Sequence, residues 1–166
     1  MSRTSSLFAF CAFVAAAAVA GAQNQSAVGR YTGSLRGISG VTGGAMTRVS
    51  DVTRLSGSVE ISPSSSAKLG VYTVDIRVST GGSLPATGMM QWSISSGRCN
   101  SQVQPLVPPS ELPPVEMRSG GNAEVSWEGA VNLTSDGSYQ LVVYDKGVRE
   151  QDIVACANLK YIKPMK

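Results

Sequence analysis

Apolar and polar side chains alternate with a period of two along most of the chain after residue 22. The pattern is plainest at Tyr72, Val74, Ile76 and Val78, which are separated by Thr73, Asp75 and Arg77. A strand sends successive side chains to opposite faces, so this stretch predicts a strand with one buried and one wet face. Met90, Trp92 and Ile94 repeat the pattern against Gln91, Ser93 and Ser95. Ala123, Val125 and Trp127 repeat it against Glu124, Ser126 and Glu128. Further strands are expected at Val28 to Leu35, Met46 to Val52, Leu55 to Ile61, Tyr139 to Tyr144 and Ile153 to Leu159, with Gly57 a weak point within its strand. From Gln23 onward no window sustains apolar residues at i, i+3, i+4 and i+7, so no helix is predicted.

Turn residues separate these runs. Gly37 to Gly44 is a glycine-rich loop or bulge, without the lysine and following helix of a phosphate loop. Gly81-Gly82 and Ser135-Asp136-Gly137 read as turns, and Asp145 to Asp152 as a charged hairpin loop. Residues 105–114 hold five prolines. Proline donates no ladder hydrogen bond, so this segment is expected to stay out of the sheet as an extended loop. Its stiff backbone also makes it a candidate arm for a protein partner, with Pro105, Leu106, Val107, Pro108, Pro109 and Leu112 as the contact residues.

The expected fold is all-β: an immunoglobulin-like or Greek-key β-sandwich of about eight strands. One domain is expected over residues 23–160, with a basic tail at 161–166 and no internal repeat. Residues 1–22 read as a secretory signal: Arg3, an apolar stretch from Leu7 to Val19, and Ala20-Gly21-Ala22 as a cleavage site. The alternative is an uncleaved membrane anchor using residues 7–22, although that run is short for a span of about 20 residues. Either way the domain is expected outside the cytoplasm, in the periplasm or secreted.

Net charge is +3, too small for a nucleic-acid footprint. There is no histidine, which removes the commonest general base and the commonest transition-metal ligand. No metal and no cofactor are therefore expected. Cys11 falls in the leader, which leaves Cys99 and Cys156. In an exported domain such a pair reads as a disulfide; the alternative is two free buried thiols.

Candidate chemistry is thin. Ser93 and Ser95 share a strand face, but no Ser-x-x-Lys occurs to activate a serine. Glu124 and Glu128 share a face, as paired carboxylates would, though a solvated strand face is the plainer reading. Trp92 and Trp127 fit a core better than a ligand platform. Asn24-Gln25-Ser26 and Asn132-Leu133-Thr134 match the glycosylation acceptor pattern.

Three short stretches carry a resemblance: Ser93-Ile94-Ser95, Gly97-Arg98-Cys99 and Ala155-Cys156-Ala157. Over roughly residues 55–160 the chain resembles the copper/zinc superoxide-dismutase-like β-sandwich superfamily, including its CHRD-type relatives. That family carries His-x-His before a Gly-x-Cys and an Ala-Cys-Gly near its end. The resemblance implies a Cys99–Cys156 disulfide. It also places Ser93 and Ser95 where metal-binding histidines would stand, Ile153 at the active-site arginine, and Ala157 at the glycine. Serine hydroxyls are poor ligands for copper or zinc, so a metal-free relative is implied.

The function expected is that of a non-catalytic structural or protein-interaction module with a partner still to be identified. One version is an accessory subunit on the outer face of a membrane complex, for example a photosynthetic reaction centre. The alternatives are a secreted hydrolase or metal-dependent enzyme, and a small-ligand carrier using the barrel interior. Strand faces filled by Trp, Tyr, Val and Ile leave a carrier little room.

Overall fold

The period-two runs form strands with the expected faces. The computed structural model describes residues 29–38, 55–65, 69–80, 88–145 and 152–164. The leader, the Met46 to Val52 strand, the Gly81-Gly82 turn and most of the Gly37 to Gly44 and Asp145 to Asp152 loops lie outside those residues. The strands are β1 (Arg30–Gly37), β2 (Leu55–Pro63), β3 (Val71–Thr80), β4 (Gly88–Ser96), β5 (Gln104–Pro105), β6 (Val115–Met117), β7 (Asn122–Ala130), β8 (Tyr139–Tyr144) and β9 (Ile153–Ile162). One 3-10 turn stands at Pro109–Glu111.

These strands make one antiparallel sheet in the order β5-β4-β8-β9-β1-β2-β3-β7, with β6 added on β4. The sheet curls until its ends approach each other. Val115 to Met117 of β6 pair with Gly88 to Met90 of β4, and a tight turn then leads from Arg118 back to Asn122 and into β7. Gly120 and Gly121 hold that turn with φ of 101° and 73°, a region that costs residues with a Cβ. The connection from β7 to β8 crosses from one end of the sheet to its middle, which is the Greek-key element of the fold.

The inward faces build one core. Tyr72, Val74, Ile76 and Val78 of β3 meet Val59 and Ile61 of β2, Trp92 and Ile94 of β4 and Leu141 and Val143 of β8. Each fully buried aliphatic side chain stabilises the fold by about 1.5–3 kcal/mol relative to exposure. Gly57 is required rather than weak, because a Cβ there would run into the carbonyl oxygen of Arg77 on β3. The six residues of β8 are buried on both faces. Its outer face carries a second, smaller core of Val142, Tyr144 and Cys156, capped by Ile38, Cys99, Val103 and Ile153.

Cys99 and Cys156 form the expected disulfide, with Cα atoms 5.9 Å apart. Cys99 sits in the turn that follows β4, and the bond pins that turn onto the outer face of β9. The last strand also runs further than expected. Tyr161 pairs with Tyr31 and Ile162 with Arg30, so the first two residues of the expected basic tail belong to the sheet.

The proline-rich segment departs most from expectation. Pro105 pairs with Ser95, and the next residue continues the contact through Leu106 N–H donating to Ile94 O at 2.8 Å. Proline lacks a donor but keeps its carbonyl, and an edge position asks for no more. Val107 and Leu112 are buried in the main core, so they are not available to a partner. The indole N–H of Trp92 donates to Pro113 O at 2.7 Å and clamps the far end of the segment. The segment thus spans the part of β4 left between β5 and β6, and it closes the barrel.

Leu112→Ala should lower the unfolding free energy by about 2–5 kcal/mol, as for other buried leucines. Denaturant unfolding of the two proteins checks this, and equal midpoints would mean that the segment is not part of the core.

Candidate functional site

Ser93 and Ser95 lie side by side on the outer face of β4 and are fully buried. Their hydroxyl oxygens are 3.2 Å apart, and Ser93 Oγ lies 3.1 Å from the Tyr144 hydroxyl. Gln140 Nε2 donates to Ser96 O at 3.4 Å. Gln140 Oε1 sits 3.4 Å from Cys156 Sγ, a contact and not a hydrogen bond, because a disulfide sulfur carries no proton. Cys99 N–H donates to Asn158 Oδ1 at 2.8 Å and holds the covering turn down. The hydroxyls satisfy one another, as buried polar groups must. Neutral hydroxyls and an amide offer no base, and they are poor ligands for a transition metal. Among the described residues no three His, Cys, Asp or Glu side chains gather into a metal-binding group.

Glu124 and Glu128 are exposed on the outer face of β7. Arg77 Nε donates to Glu124 Oε1 at 2.9 Å, which draws that carboxylate towards β3 and away from any paired role with Glu128. A broad depression of about 990 Å3 crosses the outer face of the sheet, lined by Ser34, Arg36, Ser58, Glu60, Asp75 and Lys160. Its charges are of both signs, and Glu60 is already engaged by Arg30 at 3.3 Å.

A second depression is a cleft of about 760 Å3 at one end of the barrel. Leu69, in the turn before β3, is 68% exposed, and Leu106, just past β5, is 37% exposed. These are two of the three large apolar side chains exposed among the described residues, and both line this cleft with Val131, Leu133 and Tyr72. The third, Met89, stands apart on β4. Leu106 is the one apolar residue of the proline-rich segment that reaches the surface. Pro105 and Pro108 are exposed beside it, and Pro109 is half-buried. Leu69 was not legible as a site residue. A lone leucine between a lysine and a glycine belongs to no periodic run.

Tyrosines fix the cleft wall. The Tyr31 hydroxyl donates to Thr134 O at 2.8 Å, and Thr134 N–H donates to the Tyr139 hydroxyl at 2.8 Å. A hydroxyl that binds backbone five residues upstream at the start of a strand resembles the tyrosine corner of Greek-key sandwiches. Tyr31 packs edge-on against Tyr139 at 5.7 Å and tilted against Tyr161 at 5.3 Å. Val131 N–H donates to Gly70 O at 2.9 Å and ties the crossing loop to the turn that carries Leu69.

Burial pushes the Tyr31 hydroxyl well above the ordinary tyrosine range, and the neighbouring Tyr72, Tyr139 and Tyr161 add to the rise. Tyr72 is raised for the same first reason. In the unfolded chain both ionise near pH 10, while the folded protein keeps their protons. Their contribution to stability is therefore complete below about pH 10 and is lost as pH rises beyond it. Absorbance titration should show at least two tyrosines ionising only with unfolding, and Tyr31→Phe should flatten the alkaline fall in stability. An unchanged alkaline limb would refute this assignment.

Comparison of the chain with protein families, curated proteins and solved structures finds no match.

Proposed function

We propose that the protein is a non-catalytic extracytoplasmic module that binds another protein through the apolar cleft. The observation that carries this is the convergence of the exposed Leu69 and Leu106 on one open depression with rigid walls. Apolar surface gathered at one place and rimmed by polar groups is where partners dock. The fixed wall matters too, since a preordered surface loses little entropy on binding.

Compartment rests on two supports: the signal-like pattern of residues 1–22 and a closed Cys99–Cys156 disulfide. An accessory role on the outer face of a membrane complex, such as a photosynthetic reaction centre, belongs to the same proposal. So does kinship with the superoxide-dismutase-like superfamily. It draws on Ser93 and Ser95 lying together on a strand that leads into the disulfide-bearing turn. This reading moves the docking surface from the whole proline-rich segment to Leu106 and its neighbours across the cleft.

The paired substitution Leu69→Asp with Leu106→Asp tests it. Both side chains are exposed, so the variant should melt like the native protein. A protein that co-purifies with the tagged native chain from its own membranes should be retained at least about tenfold less by the variant, equivalent to 1.4 kcal/mol. Retention of every partner by a folded variant would remove the cleft from the interface.

A further inference from the structure

The triplet Asn132-Leu133-Thr134 lies in the loop that crosses from β7 to β8, and that loop has a definite shape. Val131 N–H donates to Gly70 O at 2.9 Å before it, and Thr134 N–H donates to the Tyr139 hydroxyl at 2.8 Å at its end. Between these anchors Leu133 N–H donates to Val131 O at 3.1 Å. A bond from one residue to the next but one closes a γ-turn, and Asn132 is at its apex. Val131 is buried in the core and Leu133 packs against that core, so both neighbours turn inward and Asn132 turns out. Its side chain is exposed at the rim of the cleft.

Asparagine, then any residue but proline, then serine or threonine is the acceptor pattern for N-linked sugar. Such triplets arise often by chance, and the folded geometry decides which can carry a sugar. Transfer takes place before the chain has folded, so folding must leave the modified side chain in solvent. A bulky, hydrated oligosaccharide has no place in a core. Asn132 meets that condition, since the inward places beside it are already taken by Val131 and Leu133. Thr134 Oγ1 lies 3.1 Å from the Tyr139 hydroxyl in the folded protein, so its role in the acceptor pattern belongs to the chain before this loop closes.

We infer that Asn132 is an N-glycosylation site, and that the mature protein carries an oligosaccharide there, at the rim of the cleft. The donor is a lipid diphosphate-linked oligosaccharide. The Asn132 Nδ2 attacks the anomeric carbon of its first sugar. The carbon–nitrogen bond forms as the carbon–oxygen bond to the diphosphate breaks. The lipid diphosphate leaves with the bonding electron pair, and one amide proton passes to a carboxylate of the transferase. The inference rests on the extracytoplasmic placement proposed above, because donor and transferase serve exported chains. It does not require that the cleft bind a protein.

The test uses the native protein from its own source. Digestion with peptide-N-glycosidase should lower its mass by at least one oligosaccharide. In heavy-oxygen water that enzyme leaves a labelled aspartate in place of each glycosylated asparagine, and peptide mapping should find the label at position 132. The triplet Asn24-Gln25-Ser26 falls in a different peptide and is read separately. Asn132→Gln, returned to the same cells, should lose the glycan at this position and melt like the enzymatically deglycosylated protein, because the side chain is exposed. Asn132 recovered unmodified in a protein whose Cys99–Cys156 disulfide is closed would overturn the inference and leave the extracytoplasmic reading standing. Asn132 unmodified together with two free thiols would overturn both. A label confined to Asn24 would likewise keep the compartment and remove this site.

Discussion

The indole of Trp92 joins the parts on which the rest depends. It is fully buried, donates its N–H to Pro113 O at 2.7 Å and packs edge-on against Trp127. Strand β4, the proline-rich segment and strand β7 therefore meet on one side chain. A buried indole N–H left without an acceptor costs about 1–3 kcal/mol, so the segment has one favourable seat. That seat turns Val107 and Leu112 inward and leaves Leu106 facing out. The apolar cleft is a consequence, because Leu106 reaches its rim only when the segment is clamped at both ends.

The outer face of β4, β8 and β9 follows a second constraint. The disulfide holds the turn of Cys99 against the outer-face cluster of Val142, Tyr144 and Cys156, and Tyr144 in turn meets Ser93. Polar side chains placed by alternation on a solvent face become buried there, and they bond to one another. The same cover makes the continuous burial of β8 intelligible, since it needs partners on both sides.

Much of the fold was legible because alternation is a local signal. The β3 pattern at Tyr72, Val74, Ile76 and Val78 gave the strand and its buried face, and the two cysteines beyond residue 22 gave the disulfide. Other features depend on what the chain meets far away in sequence. Proline at position 105 argues against pairing only where both sides of a strand are used, and β5 is an edge. Nothing local to Val107 or Leu112 distinguishes a leucine or valine offered to a partner from one turned into its own core. Ser93 and Ser95 read as a wet face because one partner that buries them, Tyr144, lies 51 residues beyond Ser93 along the chain. The candidate site was legible at Leu106 alone. Leu69 joins it through the Gly70 to Val131 contact, which no sequence period announces.

The central claim is that the proline-rich segment closes the barrel, with Val107 and Leu112 turned into the core. Replacing residues 107–114 by a Gly/Ser linker, with Leu106 retained, tests it most directly by calorimetry. The account predicts loss of a single cooperative melting transition, because Val107, Leu112 and the acceptor for Trp92 are removed together. A variant that melts cooperatively at the native temperature would contradict it.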